Sequence, residues 1–181
     1  MKNYISVYEN VLDETFCKLL IDKFERNKQI QVRRDDVYKT FFEINFAQYP
    51  IFAEEQNHIL SQVQPFVRKY CEDWGIKFFP DKIGFEQVRM KKYEIGGKDE
   101  FREHVDVGDY ASARRFLVMF FYLNNVAEGG ETAFIGIDDN KRIQPKTGSI
   151  LIFPPMWTHP HAGLPPISNP KYIAGTYLHY T

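Results

Sequence analysis

Cysteine is scarce in this chain: Cys17 and Cys71 are the only two in 181 residues. Two cysteines without metal-ligand spacing exclude a disulfide framework and a Cys-ligated zinc module, and a reducing cytosol is the simpler setting. Excess charge is lacking too. Twenty-three basic residues face 24 acidic ones, for a formal net charge of −1. A protein that holds nucleic acid mainly by neutralising phosphates would carry a clear surplus of lysine and arginine, so a nucleic-acid partner is not expected. No apolar run approaches the ~20 residues needed to cross a bilayer, and the first ten residues show no signal-peptide h-region. The expected setting is therefore cytoplasmic, without membrane association. Internal repeats, low-complexity tracts and linker-like stretches are also missing, which argues for one domain over 1–181.

What is present suffices for a core. Hydrophobic residues make up 44% of the chain and aromatics 16%, and a compact chain of this length buries about 70% of its unfolded surface. The chain changes character near residue 83. Before it, helical spacing dominates: Asp13 reads as an N-cap ahead of Phe16, Leu19, Leu20 and Phe24, and residues 52–74 place Ile59, Val63, Phe66, Val67, Tyr70 and Trp74 on one stripe. Pro65 is expected to bend or restart that second helix. Residues 4–8 read as a short strand, and 28–50 as a long ordered loop with a strand or two.

Beyond residue 83, strands are expected over 83–93, 101–106, 115–124, 149–154 and 171–180, separated by Gly96-Gly97, Gly129-Gly130, Pro145 to Gly148 and Asn169-Pro170. The run Phe116 to Leu123 is apolar at every position, as a strand covered on both faces would be. Helices followed by strands make an α+β fold, helical over about 1–82, with a β-sandwich or small barrel over about 83–181.

Five histidines are available for chemistry. His58 sits among polar neighbours on the second helix and reads as a solvated surface residue. His104 differs, because Asp106 follows two positions later, and alternate residues of a strand share a face. A histidine and a carboxylate so placed, with one distant histidine, form the facial triad that suits non-haem Fe(II). Alone, His-x-Asp is weak evidence, and a surface ion pair is the commoner meaning.

Its surroundings are more specific. Tyr93-Glu-Ile-Gly96 and Phe101 precede it. Tyr122-Leu-Asn124, Glu128-Gly-Gly-Glu-Thr132-Ala-Phe134, Pro145-Lys-Thr-Gly148-Ser-Ile-Leu-Ile-Phe153-Pro154, His161-Ala-Gly163 and Lys171 follow in order. Over about 83–180 this set resembles the prolyl 4-hydroxylase-like branch of the Fe(II)/2-oxoglutarate-dependent dioxygenases. The resemblance implies a double-stranded β-helix, or jelly roll, braced by N-terminal helices. It implies iron ligation by His104, Asp106 and His161, and an ion pair from Lys171 to the distal carboxylate of 2-oxoglutarate. His159 stays open as the alternative second histidine, since it shares a face with His161 on a regular strand; the ten-residue spacing to Lys171 favours His161. Lys171, Ile173, Gly175 and Tyr177 would face one way. Tyr93 and Tyr122 correspond to hydroxyl donors for the cosubstrate, with a plain core role as the alternative for each. Pro165-Pro166, Asn169-Pro170, Val118 and Tyr177 depart from the family's commoner residues, and none of them is a metal-ligand position.

The implied reaction couples oxidative decarboxylation of 2-oxoglutarate, with O2, to hydroxylation of a C–H bond, with ascorbate as a conceivable helper. The carboxylate at Asp106 favours hydroxylation over halogenation. A protein or peptide substrate, with proline as target, is the first expectation, with 28–50 and 106–114 as candidate lids. A free amino acid, small metabolite or nucleobase is the alternative, the near-neutral charge and the lysine anchor speaking against the last. A non-catalytic jelly-roll binding module is the reading from another class, and the intact His104, Asp106, His161 and Lys171 speak against it.

Overall fold

The computed structural model describes residues 2–181. In chain order, β1 (Ser6–Tyr8) leads to α1 (Glu14–Arg26), the hairpin β2 (Val32–Asp35) and β3 (Thr40–Asn45), and α2 (Ala53–Trp74). The second half contains β4 (Ile83–Phe85), β5 (Arg89–Tyr93), β6 (Phe101–His104), β7 (Arg115–Tyr122), β8 (Thr132–Phe134), β9 (Arg142–Ile143), β10 (Ile150–Phe153), β11 (His161–Gly163) and β12 (Lys171–Tyr180). Eight strands form a major sheet in the order β1-β10-β7-β12-β5-β3-β2, with β4 beside the far end of β12. Four form a minor sheet in the order β6-β11-β8-β9. All pairings are antiparallel. The result is an α+β jelly roll, as the sequence implied.

The major sheet separates two cores, and strand alternation assigns residues to each. On β7, Leu117, Met119 and Phe121 pack under the helices, while Val118 and Tyr122 point between the sheets. On β10, Ile150 and Ile152 take the helix side, and Leu151 and Phe153 the inner side. This two-sided cover is why 116–123 is apolar throughout. On β12 the expected parity holds: Tyr172, Ala174 and Leu178 face the helices, and Ile173 and Tyr177 face inward.

Asp13 caps α1, its Oδ1 accepting from the amides of Thr15 at 2.8 Å and Phe16 at 3.3 Å. The buried stripe of α1 is Cys17, Leu20 and Phe24. Leu19, expected on that stripe, is 61% exposed; the small, apolar thiol of Cys17 fits the closely packed face at i, i+3 and i+7 instead. On α2, Ile59, Val63, Val67 and Tyr70 are buried as expected, and Phe66 and Trp74 partly so. Of the two outcomes expected at Pro65, a bend or a restart, the restart does not occur: α2 runs through the proline to Gly75, whose left-handed conformation ends the helix. Burial of the stripe on both sides of the proline, at roughly 1.5–3 kcal/mol per large apolar side chain, offsets the missing hydrogen bond.

Two further boundaries shift. Residues 83–93 split into β4 and β5 around Val88, which turns into the helix-side core. The strand expected over 101–106 ends at His104. The turn at Gly148, with φ of +73°, brings its carbonyl to the amides of Val11 (2.9 Å) and Leu12 (3.0 Å), tying the N-terminal segment to the start of β10.

Candidate active site

Pairing of β11 with β6 sets His161 directly opposite His104, with ring centroids 4.3 Å apart. Asp106 lies just beyond β6, so strand parity does not aim it. The chain is turned instead by the Pro155 carbonyl, which accepts from the amides of Asp106 at 2.9 Å and Val107 at 3.2 Å. The Asp106 carboxylate then stands 3.5 Å from the Nε2 atoms of both histidines. Candidate ligand atoms of all three residues fall within 4.8 Å of one another.

Hydrogen bonds orient the two rings. His104 Nδ1–H donates to the Arg102 carbonyl at 2.7 Å, and His161 Nδ1–H donates to the His159 carbonyl at 3.0 Å. A carbonyl only accepts, so each Nε2 carries the free lone pair and faces the shared point. Phe101 stacks on His104 with centroids 3.4 Å apart, and Phe153 meets His161 edge-on at 4.7 Å. Burial lowers the His161 pKa to about 4, against the opposing pull of Asp106, so the ring is neutral at pH 7. Burial alone would raise the Asp106 carboxyl, yet the two imidazoles facing it and the nearby Lys91 ammonium hold that group well below the usual carboxylate range. A neutral His161 ring and an ionised Asp106 carboxylate are protonation states that metal binding requires.

His159 is engaged elsewhere. Its Nε2–H donates to the Asn3 carbonyl at 2.7 Å, and Nδ1 accepts from the Thr158 hydroxyl at 2.8 Å. Tyr177 donates to Asp106 Oδ1 at 3.0 Å, and Arg115 reaches the Asp106 carbonyl at 3.1 Å while its guanidinium lies 4.1 Å from the Tyr177 ring centre. His58 is exposed on α2, as expected.

A second group is fully buried. Lys171 opens β12 opposite Tyr93 on β5. Its Nζ donates to the Gly130 carbonyl at 2.8 Å and lies 4.6 Å from the centre of the Tyr93 ring. The quoted sequence motifs build this spot: Asn124 holds the start of β12 by bonds to Pro170 and Tyr172, and Gly130 is fixed by the Pro165 carbonyl. Burial pushes the Lys171 ammonium down to about 7, and no carboxylate pairs with it among the described residues. Tyr122 shares a 2.7 Å hydrogen bond with Thr132. A side chain at Gly163 would place its first carbon 3.6 Å from Lys171 Nζ and 3.8 Å from the Tyr93 hydroxyl. Glycine therefore leaves space between a buried cation and a phenol, a cradle suited to a carboxylate.

Beside these lies a cavity of about 430 Å3 that reaches His104 and Asp106. Arg34, Lys39, Phe41 and Glu43 contribute from 28–50, the first candidate lid, whereas 107–114 supplies no wall residue. Sequence reasoning missed Lys91, on the cavity wall, although its position two before Tyr93 on one strand was the signal.

The donor set fits Fe(II), and the Lys171–Tyr93 cradle fits a dicarboxylate. Comparison with known proteins agrees with this chemistry. The viral collagen prolyl hydroxylase of Paramecium bursaria Chlorella virus-1, in complex with 2OG, superposes with a TM-score of 0.73 at 23% identity, covering 98% of this chain and 97% of that one. The prolyl hydroxylase of Trichoplax adhaerens, in complex with a hypoxia inducible factor peptide fragment, gives a TM-score of 0.80 at 14% identity, covering 99% and 84%. These likenesses establish the fold. In sequence, prolyl 4-hydroxylase 2 of Arabidopsis thaliana is 23% identical across 96% of this chain, which spans 66% of that relative's length. Among the described residues no helix is long and apolar enough to cross a membrane. Residues 88–179, half of the chain, match the 2OG-Fe(II) oxygenase superfamily, to which this chain belongs.

Proposed function

We propose that this chain is a single-domain peptidyl-proline hydroxylase in which His104, Asp106 and His161 hold Fe(II), and Lys171 with Tyr93 and Tyr122 receives 2-oxoglutarate. The observation that carries the ligand assignment is the convergence of two Nε2 lone pairs and one carboxylate, with His159 bonded away from them. When bound, the metal and cosubstrate supply the oxidising power, decarboxylating 2-oxoglutarate and delivering one oxygen atom of O2 to carbon. The chain supplies position and environment. Phe101 and Phe153 brace the imidazoles, Tyr177 holds one Asp106 oxygen, and Lys171 balances the charge of a buried carboxylate. Tyr122, whose hydroxyl shares a hydrogen bond with Thr132, is assigned to the cosubstrate site as the third member of that group.

Proline as target is supported by the named activities of the relatives in sequence and fold, and a peptide by the open cavity beside the triad. Ascorbate is expected to sustain turnover by keeping iron reduced. A reducing compartment such as the cytosol suits the unpaired Cys17 and Cys71.

The test is stepwise. Fe(II) and then 2-oxoglutarate are added under argon, and the visible charge-transfer band of a chelated keto acid is followed. Oxygen is then admitted with proline-containing peptides, and succinate and peptide mass are measured. A band needing both additions, succinate release and a peptide gain of one oxygen atom are expected. Band and succinate without any modified peptide would refute the peptidyl substrate. No band with a folded protein would refute the ligand assignment.

A further inference from the structure

The cavity beside the triad is unevenly charged for a chain whose formal net charge is −1. Arg34, Lys39, Arg89, Lys91 and Arg115 line it against Glu43, Glu86 and Asp106. The three carboxylates are occupied. Glu43 accepts from Arg34 at 3.0 and 2.6 Å, Glu86 accepts from Arg115 at 2.7 and 2.9 Å, and Asp106 faces the histidines and Tyr177. Lys91 has no such partner: among the described residues no carboxylate lies within 4.0 Å of its ammonium.

What surrounds Lys91 is aromatic. Its Nζ sits 4.9 Å from the centre of the Phe41 ring and 5.2 Å from that of Phe101, the ring that also stacks on His104. Strand parity puts it on the inner face with Tyr93, opposite Glu43 of β3. Aromatic faces offset only part of the cost of withdrawing an ammonium from water, whereas an incoming anion would offset far more. Lys92, the next residue, shows the alternative: it turns to the other face and pairs with Glu25 at 2.8 Å and Glu94 at 2.6 Å. Lys171 and Tyr93 form a separate cradle for the cosubstrate, so the cation at Lys91 remains over for the substrate.

We infer that Lys91 receives a carboxylate of the substrate, so that the enzyme selects a target residue bearing an acidic neighbour. This rests on the peptidyl reading for the source of the carboxylate. A free amino acid would present its own carboxylate to the same ammonium, and the two sources are separable.

The experiment measures binding rather than turnover. Protein loaded with Fe(II) and 2-oxoglutarate is kept under argon, and affinities are measured for capped proline peptides carrying Glu beside the proline, for the same peptides with Gln, and for free L-proline. Wild type should bind the Glu peptide roughly ten- to thirtyfold more tightly than the Gln peptide. Lys91→Met should erase that preference while the 2-oxoglutarate affinity, read from the charge-transfer band, changes less than about threefold. Lys91→Gln, which preserves length and polarity, serves if the methionine variant does not fold. A preference that survives either variant overturns the inference. So does a parallel loss of 2-oxoglutarate affinity, which would assign the cation to the cosubstrate, or a wild type that binds Glu and Gln peptides alike. Binding of free L-proline that depends on Lys91, with both peptides rejected, would uphold the carboxylate site and refute the peptidyl substrate. Binding of none of the three probes by wild type would overturn the inference.

Discussion

Raising the pH should weaken binding of 2-oxoglutarate through one group, Lys171. Its ammonium is 1% exposed and donates only to the Gly130 carbonyl, and burial brings its pKa down to about 7. The metal-loaded protein without cosubstrate would then carry a charged Lys171 in about half of its molecules at pH 7 and in about one in ten at pH 8. A dicarboxylate binds the charged form, so its arrival draws a proton onto the lysine. The apparent Kd should rise about fivefold between pH 7 and 8 and about tenfold between pH 8 and 9, roughly 1.4 kcal/mol for the second step. Calorimetry under argon, in buffers of differing ionisation enthalpy, should show about half a proton taken up per ligand at pH 7 and nearly one at pH 9. Lys171→Arg supplies the control, because a guanidinium keeps its charge throughout this range; its profile should be flat even if its affinity at pH 7 is lower. The sign for folding runs the other way: the unfolded lysine, with the higher pKa, binds more protons between about 7 and 10.5, so stability of the ligand-free protein gains from that group as pH rises. A wild-type Kd independent of pH from 7 to 9, or a Lys171→Arg profile as steep as wild type, would refute the assignment of the anchor.

His161→Ala should abolish Fe(II) binding in an anaerobic titration. His159→Ala should retain it while losing about 1–3 kcal/mol of unfolding free energy, because the Asn3 carbonyl is left without its donor; the reverse pattern would reassign the ligand. Tyr177→Phe removes the 3.0 Å hydrogen bond to Asp106 and should weaken Fe(II) roughly tenfold with the fold intact, an effect of the size expected when a ligand loses its supporting partner; unchanged affinity would show that the bond does not position the carboxylate. Metal-free protein should lose stability as pH falls from about 6.5 to 4, since unfolded His161 takes up a proton that the buried ring, with its pKa near 4, refuses. The loss should reach up to roughly 3 kcal/mol, and chemical denaturation of wild type and His161→Ala across that range should show a flatter profile in the variant.

Much of this protein is decided by local pattern. Period 3.6 defined α1 and α2, and the ten-residue β12 was readable end to end because its side chains alternate between two covered faces. The order of short motifs carries the family resemblance, and it is that resemblance that singled out His104, Asp106, His161 and Lys171 as a candidate set. Other features depend on partners distant in sequence. Strands β8, β9 and β11 are two or three residues long, too short to express a period, and they exist because the minor sheet supplies their hydrogen bonds. Cys17 rather than Leu19 faces the core because the approach of the sheet, not hydropathy, selects the buried side of α1. Asp106 reaches the histidines by the pull of Pro155 on its backbone, beyond the end of the strand whose alternation suggested it. The ten-residue spacing to Lys171 already favoured His161 over His159, and only the fold adds that the Asn3 carbonyl lies beside the latter and engages it. Lys91 and Lys92 are adjacent and alike in the chain; only the two sides of the folded sheet, one lined by aromatic rings and the other by carboxylates, make one a spare cation and the other an ion-pair partner.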